Sequence, residues 1–366
     1  MKRFLSNHAW AGKLCNGPKL FTPGPLNTST QVKQAMLVDY GSRTDAIINA
    51  QKYIRRTLLE TCNVSQETGY ECVLMQGSGT MAVESVISSI VSGKMLILSN
   101  GAYGKRMATM AKLHNIPHDV LEFRETESIC TDKVQEHLNN NTYNFVATVH
   151  HETTVGVLNP IDEISTILPQ DTTFIVDSMS GLGAFPVDLD TSKIDYLVSS
   201  SNKNFEGVPG FAFVLANRDK LVEQGKTPKT LSLDLLSQWE GLEDNGQFRF
   251  TPPTHSLMAF KQALREFKLE GGSSKRLNRY NENAYQLRKG MESLGFESVN
   301  DSPIISTFLY PDDFDFDDFY EKLAEESMYI YPGKMTEADC FRIGTIGQIY
   351  EEDIYELLDK IKEIIN

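Results

Sequence analysis

Phe174-Ile175-Val176-Asp177-Ser178 and Tyr196-Leu197-Val198-Ser199-Ser200-Ser201-Asn202-Lys203 decide how this chain folds. Each is a short apolar run that stops at polar or charged residues. Four more runs share the texture: Cys72-Val73-Leu74-Met75, Met95-Leu96-Ile97-Leu98, Phe145-Val146-Ala147-Thr148-Val149 and Phe211-Ala212-Phe213-Val214-Leu215. Helix-like stretches lie between them, among them 80–91, 105–113 and 162–168. Continuous apolar runs suit strands covered on both faces by helices, so the pattern predicts an α/β domain with a mostly parallel sheet. After about Pro253 the texture changes. Residues 256–270 and 276–294 read as helices, 304–309 and 341–343 as strands, and 351–364 as a closing helix. The expected division is a large α/β domain over 17–255 and a smaller α+β domain over 256–366, with residues 1–16 packed on the smaller one. The acidic run from Asp312 to Asp318 reads as the opening of a helix, where carboxylates are favoured.

Composition narrows the function. The 366 residues carry 35 Lys and Arg against 49 Asp and Glu, a formal net charge of −14. Such an acidic chain is a poor general binder of nucleic acid or anionic membrane, and neither is expected as a partner. No run approaches the roughly 20 apolar residues of a membrane span, and the basic N-terminus lacks the apolar stretch of a signal peptide. Five dispersed cysteines without a CxxC pair point to reduced thiols and a cytoplasmic location. His114 and His118 are four apart, but Pro117 breaks a helix between them and no third ligand completes a metal site. They read as surface histidines, as do His150 and His151, and no metal is expected.

In open α/β sheets ligands gather beyond the carboxyl ends of the strands. After Leu74-Met75 comes Gln76-Gly77-Ser78-Gly79-Thr80 and then a helix, so backbone N–H groups and two hydroxyls converge where an anion is favoured. The same residues could merely cap the helix. The pattern is neither GxGxxG nor GxxxxGK[ST], which disfavours dinucleotide and NTPase folds. Asp177 ends one strand, where a carboxylate needs a cation or hydrogen bonds. Lys203 follows another, where burial would turn its amine into a nucleophile. Alone, Asp177 could order a loop and Lys203 could be solvated. Together, an anion cradle, a strand-end Asp and a strand-end Lys on one sheet edge suit pyridoxal 5′-phosphate.

The chain resembles the class V aminotransferases of pyridoxal-phosphate fold type I. The resemblance rests on Leu20-Phe21-Thr22-Pro23-Gly24-Pro25-Leu26, residues 74–82, Ser99-Asn100-Gly101-Ala102-Tyr103-Gly104, His151-Glu152-Thr153-Thr154, residues 175–180 and Ser201-Asn202-Lys203. It continues through residues 207–214, Leu231-Ser232-Leu233-Asp234-Leu235, Arg249-Phe250-Thr251, Pro253-Thr254-His255, Ile330-Tyr331-Pro332-Gly333-Lys334 and Phe341-Arg342-Ile343-Gly344, in one order along nearly the whole chain. It implies that Lys203 bonds the cofactor, Asp177 holds the ring nitrogen protonated, and Ser78, Gly79 and Thr80 bind the phosphate. Tyr103 would stack on the ring, and Thr153 or Thr154 would reach the ring hydroxyl. Thr251 would cross to the neighbouring subunit's cofactor in a homodimer. Arg342 would grip the substrate carboxylate. The implied reaction moves an amino group from 2-aminoethylphosphonate to pyruvate by a ping-pong mechanism; the alternative is an alanine- or serine-glyoxylate type. Gly41-Ser42-Arg43-Thr44-Asp45 and Val155 depart from the expected pattern, and Arg43 is a candidate second anion-binding group. A desulfurase would need a mobile cysteine; Cys340 is the one suggestive position, and it reads as packing.

Overall fold

All six apolar runs are strands in the computed structural model, which describes residues 17–365. They form one seven-stranded sheet with a strand that the apolar pattern does not announce. In chain order the strands are β1 (Tyr70–Gln76), β2 (Met95–Ser99), β3 (His118–Glu122), β4 (Phe145–Val149), β5 (Thr173–Asp177), β6 (Tyr196–Ser200) and β7 (Phe211–Asn217). In space they lie in the order β1-β7-β6-β5-β4-β2-β3. Only β7 runs against its neighbours. Strands β2, β4, β5 and β6 are buried at every position, which explains their unbroken apolar texture. At the sheet edge, β3 is only half-buried and keeps His118, Asp119 and Glu122 at the surface.

The helices α1 (Asp45–Thr61), α2 (Gly79–Ile90) and α3 (Ala102–Leu113) belong to this layer. In α2 the buried residues Ala82, Val83, Val86, Ile87 and Ile90 recur at helical spacing and join the core with β1, β6 and β7. Ser78 begins this helix, its Oγ accepting from the Met81 N–H at 3.4 Å.

The second sheet comprises β8 (Ile305–Leu309), β9 (Tyr331–Pro332) and β10 (Cys340–Gly344), antiparallel in the order β8-β10-β9. Its core includes Leu287, Phe308, Phe341, Ile343 and Leu357. Two details depart from the expected division. Helix α4 (Thr254–Glu270) buries Leu257, Phe260, Leu264 and Phe267 in the larger core, so the cores separate near residue 270 rather than at 255. Conversely, Lys19–Leu20 pairs with Met328–Tyr329, and Phe21 packs into the smaller core. The expected packing of residues 1–16 lies outside the described residues. The acidic run does open a helix: Asp315 accepts from the Asp317 and Asp318 N–H groups at 3.0 and 3.1 Å. Among the described residues, no helix is long and apolar enough to cross a membrane.

The loop after Lys203 joins the two cores. Glu206 is buried and accepts from Arg279 Nη2 at 2.7 Å, Tyr280 Oη at 2.7 Å and Gln348 Nε2 at 2.6 Å. These partners compensate a carboxylate that would otherwise be costly to bury. Phe205 sits one residue earlier, fully buried, in edge contact with Phe213, Phe260 and Phe267 at ring separations of 6.0, 5.8 and 5.1 Å. Removing this ring leaves a cavity, at about 3–5 kcal/mol for Phe→Ala. Phe205→Ala should therefore lower the thermal midpoint by several degrees and loosen the segment that carries Lys203, while Phe205→Leu should recover most of the loss. A melt of the Ala variant matching the parent would refute this assignment.

Candidate active site

Strand register places the first chemical group. Asp177 closes β5, paired with Val149 on one side and Val198 on the other. Its Oδ1 accepts from the Met179 N–H at 3.0 Å. No cationic side chain among the described residues lies within ion-pair distance of it. Burial, reinforced by nearby Glu152, pushes its carboxyl up to about 6. Lys203 lies three residues beyond β6, the neighbouring strand. Its Nζ donates to the Pro23 carbonyl at 2.6 Å and more weakly to that of Gly24 at 3.4 Å. Burial holds this amine below its ordinary range, with the Lys334 and Arg342 charges acting in the same direction. The turn over it must be glycine: Gly24 has φ +113°, and a Cβ there would stand 2.8 Å from Lys203 Cδ.

The cradle at 78–80 lies at the start of α2. The Gly79 and Thr80 N–H groups occupy the first helical turn, where no carbonyl of the helix can reach them. A Cβ on Gly79 would collide with the Met179 thioether, two residues past Asp177. Cradle and carboxylate are thus in contact through one side chain. Thr80 Oγ1 accepts from Arg106 Nη1 at 3.1 Å, and the same guanidinium stacks 4.8 Å from the Tyr103 ring centre. Arg106 is a cation at the cradle that the motif reading missed. Its place three residues after Tyr103 on α3, one turn along the same face, was the available signal.

Tyr103 lies against several of the expected residues. Burial alone would raise its phenol, but the Thr153 hydroxyl and the Lys203 and Lys334 charges outweigh it, leaving the phenol below its ordinary value. The two candidate threonines separate. Thr154 Oγ1 donates to Glu152 Oε1 at 2.7 Å and accepts from the Ala102 N–H at 2.8 Å, so it braces the scaffold. Thr153 faces Tyr103, and its carbonyl accepts from Arg342 Nη1 at 2.7 Å. Arg342, buried in β10, also donates from Nε to the Pro332 carbonyl at 3.0 Å, and no carboxylate among the described residues meets it within ion-pair distance. Arg43 and Thr251 are both exposed, and neither makes a described hydrogen bond to the site within the chain.

One expectation changes. His150 and His151 are buried behind the site rather than on the surface. His150 Nδ1 lies 2.8 Å from Ser178 Oγ, and His151 Nε2 lies 2.8 Å from Ser302 Oγ. Burial pushes His150 down to about 4 and His151, helped by His150, to about 3. Both are therefore neutral braces for the turn after Asp177. Cys340 is buried in β10 with its Sγ against Gly333, placement that suits packing rather than a mobile nucleophile.

These residues fit pyridoxal 5′-phosphate on two observations of the chain itself. Asp177 is a buried carboxylate without a cation, and a pyridinium N–H would supply one. Ser78–Thr80 with Arg106 offers donors and positive charge for a phosphate. The family match agrees. Residues 34–337 match the model of the class V aminotransferases, and the chain belongs to that family. Curated relatives from Salmonella dublin and Salmonella enteritidis PT4, each named 2-aminoethylphosphonate–pyruvate transaminase, are 46% identical over 94% of this chain and 96% of their own length. Among solved structures, the alanine–glyoxylate aminotransferase of Nostoc sp. superposes with a TM-score of 0.87 at 22% identity, covering 96% of both chains. The ureidoglycine–glyoxylate aminotransferase of Bacillus subtilis does so with 0.87 at 21% identity, covering 95% of this chain and 92% of its own. Both are PLP fold type I likenesses, and at such identity they speak to the fold alone.

The raised Asp177 carboxyl has a pH consequence for cofactor-free protein. The folded state binds this proton more tightly than the unfolded state, whose carboxyl titrates near 4. Stability from the protonated form is therefore full below about pH 4 and is lost as pH rises towards 6. At ~1.4 kcal/mol per pH unit the loss approaches roughly 3 kcal/mol. Asp177→Asn should be more stable than its parent above pH 6, with the difference vanishing near pH 4. His150 and His151 act oppositely, destabilising as pH falls, but they are shared and cancel in the comparison. Denaturant melts of both apoproteins at pH 4, 5, 6 and 7 measure the effect; a pH-independent difference would disprove it.

Proposed function

We propose that the protein moves the amino group of 2-aminoethylphosphonate to pyruvate, giving phosphonoacetaldehyde and L-alanine. The observation that carries the chemistry is the joint placement of Lys203, Asp177 and the 78–80 cradle beside Arg342. The substrate pair follows the curated relatives at 46% identity. The alanine–glyoxylate alternative draws only on structures near 22% identity and is weaker.

Pyridoxal 5′-phosphate, when bound, supplies a carbonyl that joins reversibly to amines and a ring that accepts an electron pair. The chain does the rest. Asp177 carries the negative charge that keeps a ring nitrogen protonated. Lys203 Nζ, its basicity lowered by burial, serves as the displaceable amine and takes the proton from the carbon bearing the substrate nitrogen. Arg342 orients the carboxylate of pyruvate, and its bonds to the Pro332 and Thr153 carbonyls fix the guanidinium before substrate arrives.

The reading includes a homodimer in the cytoplasm, where Cys62, Cys72, Cys130 and Cys340 stay as thiols. Its support is a set of exposed apolar side chains. Leu37 and Val38 are 74% and 52% exposed, and the next residue, Asp39, bonds His255 at 3.0 Å, beside the Thr251 loop. Leu231 and Phe250, 73% and 52% exposed, are linked through the Arg249 bond to the Leu231 carbonyl at 3.1 Å. Exposed apolar residues grouped in this way suit a second copy of the chain. In that assembly Thr251 and Arg43 would face the neighbour's site.

Three outcomes are expected. Purified protein with both substrates should form alanine and phosphonoacetaldehyde in equal amounts, with parallel double-reciprocal lines; intersecting lines would sink the ping-pong mechanism. Lys203→Ala should lower turnover at least a thousandfold, and borohydride should no longer fix the cofactor to the chain, as read by mass spectrometry. The double variant Leu37→Asp, Phe250→Asp should sediment as a monomer with weakened cofactor retention, whereas an unchanged sedimentation coefficient would remove the dimer reading.

A further inference from the structure

A hairpin in the smaller domain brings a second unpaired cation to the site. Strand β9 pairs with β10, Tyr331 opposite Arg342, and the Gly333 N–H donates to the Cys340 carbonyl at 2.8 Å. Lys334 leaves this pairing towards the large domain. Its Nζ lies 3.3 Å from the Tyr103 hydroxyl and 4.9 Å from the ring centre. The turn beyond is tethered: the Thr336 N–H donates to Glu125 Oε2 at 2.9 Å, and Lys105 meets the other Glu125 oxygen at 3.4 Å. Lys334 is therefore held over Tyr103, close enough to Lys203 for the two charges to act on each other and on the same phenol.

Its counter-ion is missing. Acidic residues outnumber basic ones 49 to 35, and Lys19, Lys94, Lys105, Lys268, Lys322 and Lys360 each meet a carboxylate. Lys334 and Arg342 have no carboxylate within ion-pair distance among the described residues. Arg342 spends two donors on carbonyls and keeps Nη2 without a described partner. Arg106, bonded to Thr80 of the cradle, also lies against Tyr103 and is assigned to the cofactor's phosphate. One hairpin thus presents two unpaired cations. Pyruvate carries one negative charge. A phosphonate has a second ionisation that pyruvate lacks, at somewhat higher pH than that of a phosphate monoester, so it is a dianion in mildly alkaline solution, and its three oxygens can be shared between a fork and a point charge.

We propose that Lys334 is a specificity residue that binds the phosphonate dianion together with Arg342, while Arg342 alone suffices for a carboxylate. This rests on the phosphonate reading above. It assigns to Lys334 the distinction between a dianion and a monoanion of similar shape.

The test uses cofactor-loaded parent, Lys334→Met and Lys334→Arg, with ethylphosphonate and ethanesulfonate as probes. In mildly alkaline buffer, where ethylphosphonate is a dianion and ethanesulfonate a monoanion, these are tetrahedral ligands of similar size that differ in charge, and binding is read from the cofactor's absorption. The parent should prefer ethylphosphonate. Lys334→Met should weaken ethylphosphonate roughly ten- to a hundredfold, the usual loss for one charge-assisted bond, and leave ethanesulfonate within about threefold. Lys334→Arg should retain most of the preference. In turnover, KM for 2-aminoethylphosphonate should rise with the Met variant and KM for pyruvate should not. Equal weakening of both probes, no weakening, or a parent without preference overturns the assignment. A parent that makes no alanine from 2-aminoethylphosphonate instead overturns the reaction it rests on. Lys334 is exposed, so the Met variant should fold, and its retained cofactor absorbance verifies this.

Discussion

The site depends on burying Asp177 and Lys203 near each other without letting them pair. Opposite charges at contact distance in a low-dielectric interior attract strongly. A direct ion pair would satisfy both and leave neither available. The fold prevents this by giving each a different partner. Asp177 is turned to the Met179 N–H, and Lys203 is drawn the other way to the Pro23 and Gly24 carbonyls. Both partners are neutral, so each group stays underpaired. Burial then raises the carboxyl and lowers the amine, as desolvation does to an unpaired charge. A cofactor with a cationic ring nitrogen and an electrophilic carbon answers both deficits at once.

That separation is set by strand geometry and held by the segment that follows Lys203, which is anchored in both cores. Adjacent β5 and β6 carry Asp177 and the approach to Lys203, and their pairing fixes the lateral spacing. The segment after Lys203 is clamped by Phe205 in an aromatic cluster and by Glu206 in a buried ionic group with Arg279 and Tyr280. Glu206 adopts φ 58°, an unfavourable backbone for a side chain of that size. The clamp reaches Gln348, so tension on the lysine segment is shared with the closing part of the chain. On the opposite wall, His150 and His151 hold the Ser178–Ser180 turn and reach Ser302. Neutral imidazoles can do this because they both donate and accept without adding charge beside Asp177.

The parts of this arrangement that were legible in the sequence are those where a burial pattern ends in a charge. Asp177, Lys203 and the 78–80 cradle stand at the ends of strands buried on both faces, where texture changes within one residue. The expected sheet followed from the same contrast. Strand β3 escaped because a half-exposed edge strand keeps polar residues at both ends. Helix α1 passed unremarked because its pattern mixes buried Gln51, Arg55 and Thr57 with apolar residues. His150 and His151 read as surface groups because their partners, Ser178, Ser180 and Ser302, are distant in sequence. Arg106 lay within a recognised segment's helix, but its role exists only once α3 is set beside Thr80. Telling Thr154 from Thr153 likewise required the Glu152 carboxylate, which engages the Thr154 hydroxyl.

The net charge of −14 takes on a different meaning in this light. It excluded polyanions as partners, yet the cofactor and both proposed substrates are anions. Surface charges are screened over about 8–10 Å at physiological salt, so the outer acids act weakly within a cleft. Much of the exterior basic charge is also neutralised locally, as in Lys19 with Asp353 and Lys268 with Glu60. Four cations without a carboxylate partner among the described residues lie where the chemistry is: Lys203, Arg342, Lys334 and Arg106, around one tyrosine. An acidic exterior with an unpaired positive interior discourages nonspecific anions at the surface and reserves favourable potential for a ligand small enough to enter. Selectivity among small anions must then come from how many of those cations a ligand can engage at once. A monoanion satisfies one and leaves the rest repelling each other; a dianion satisfies two.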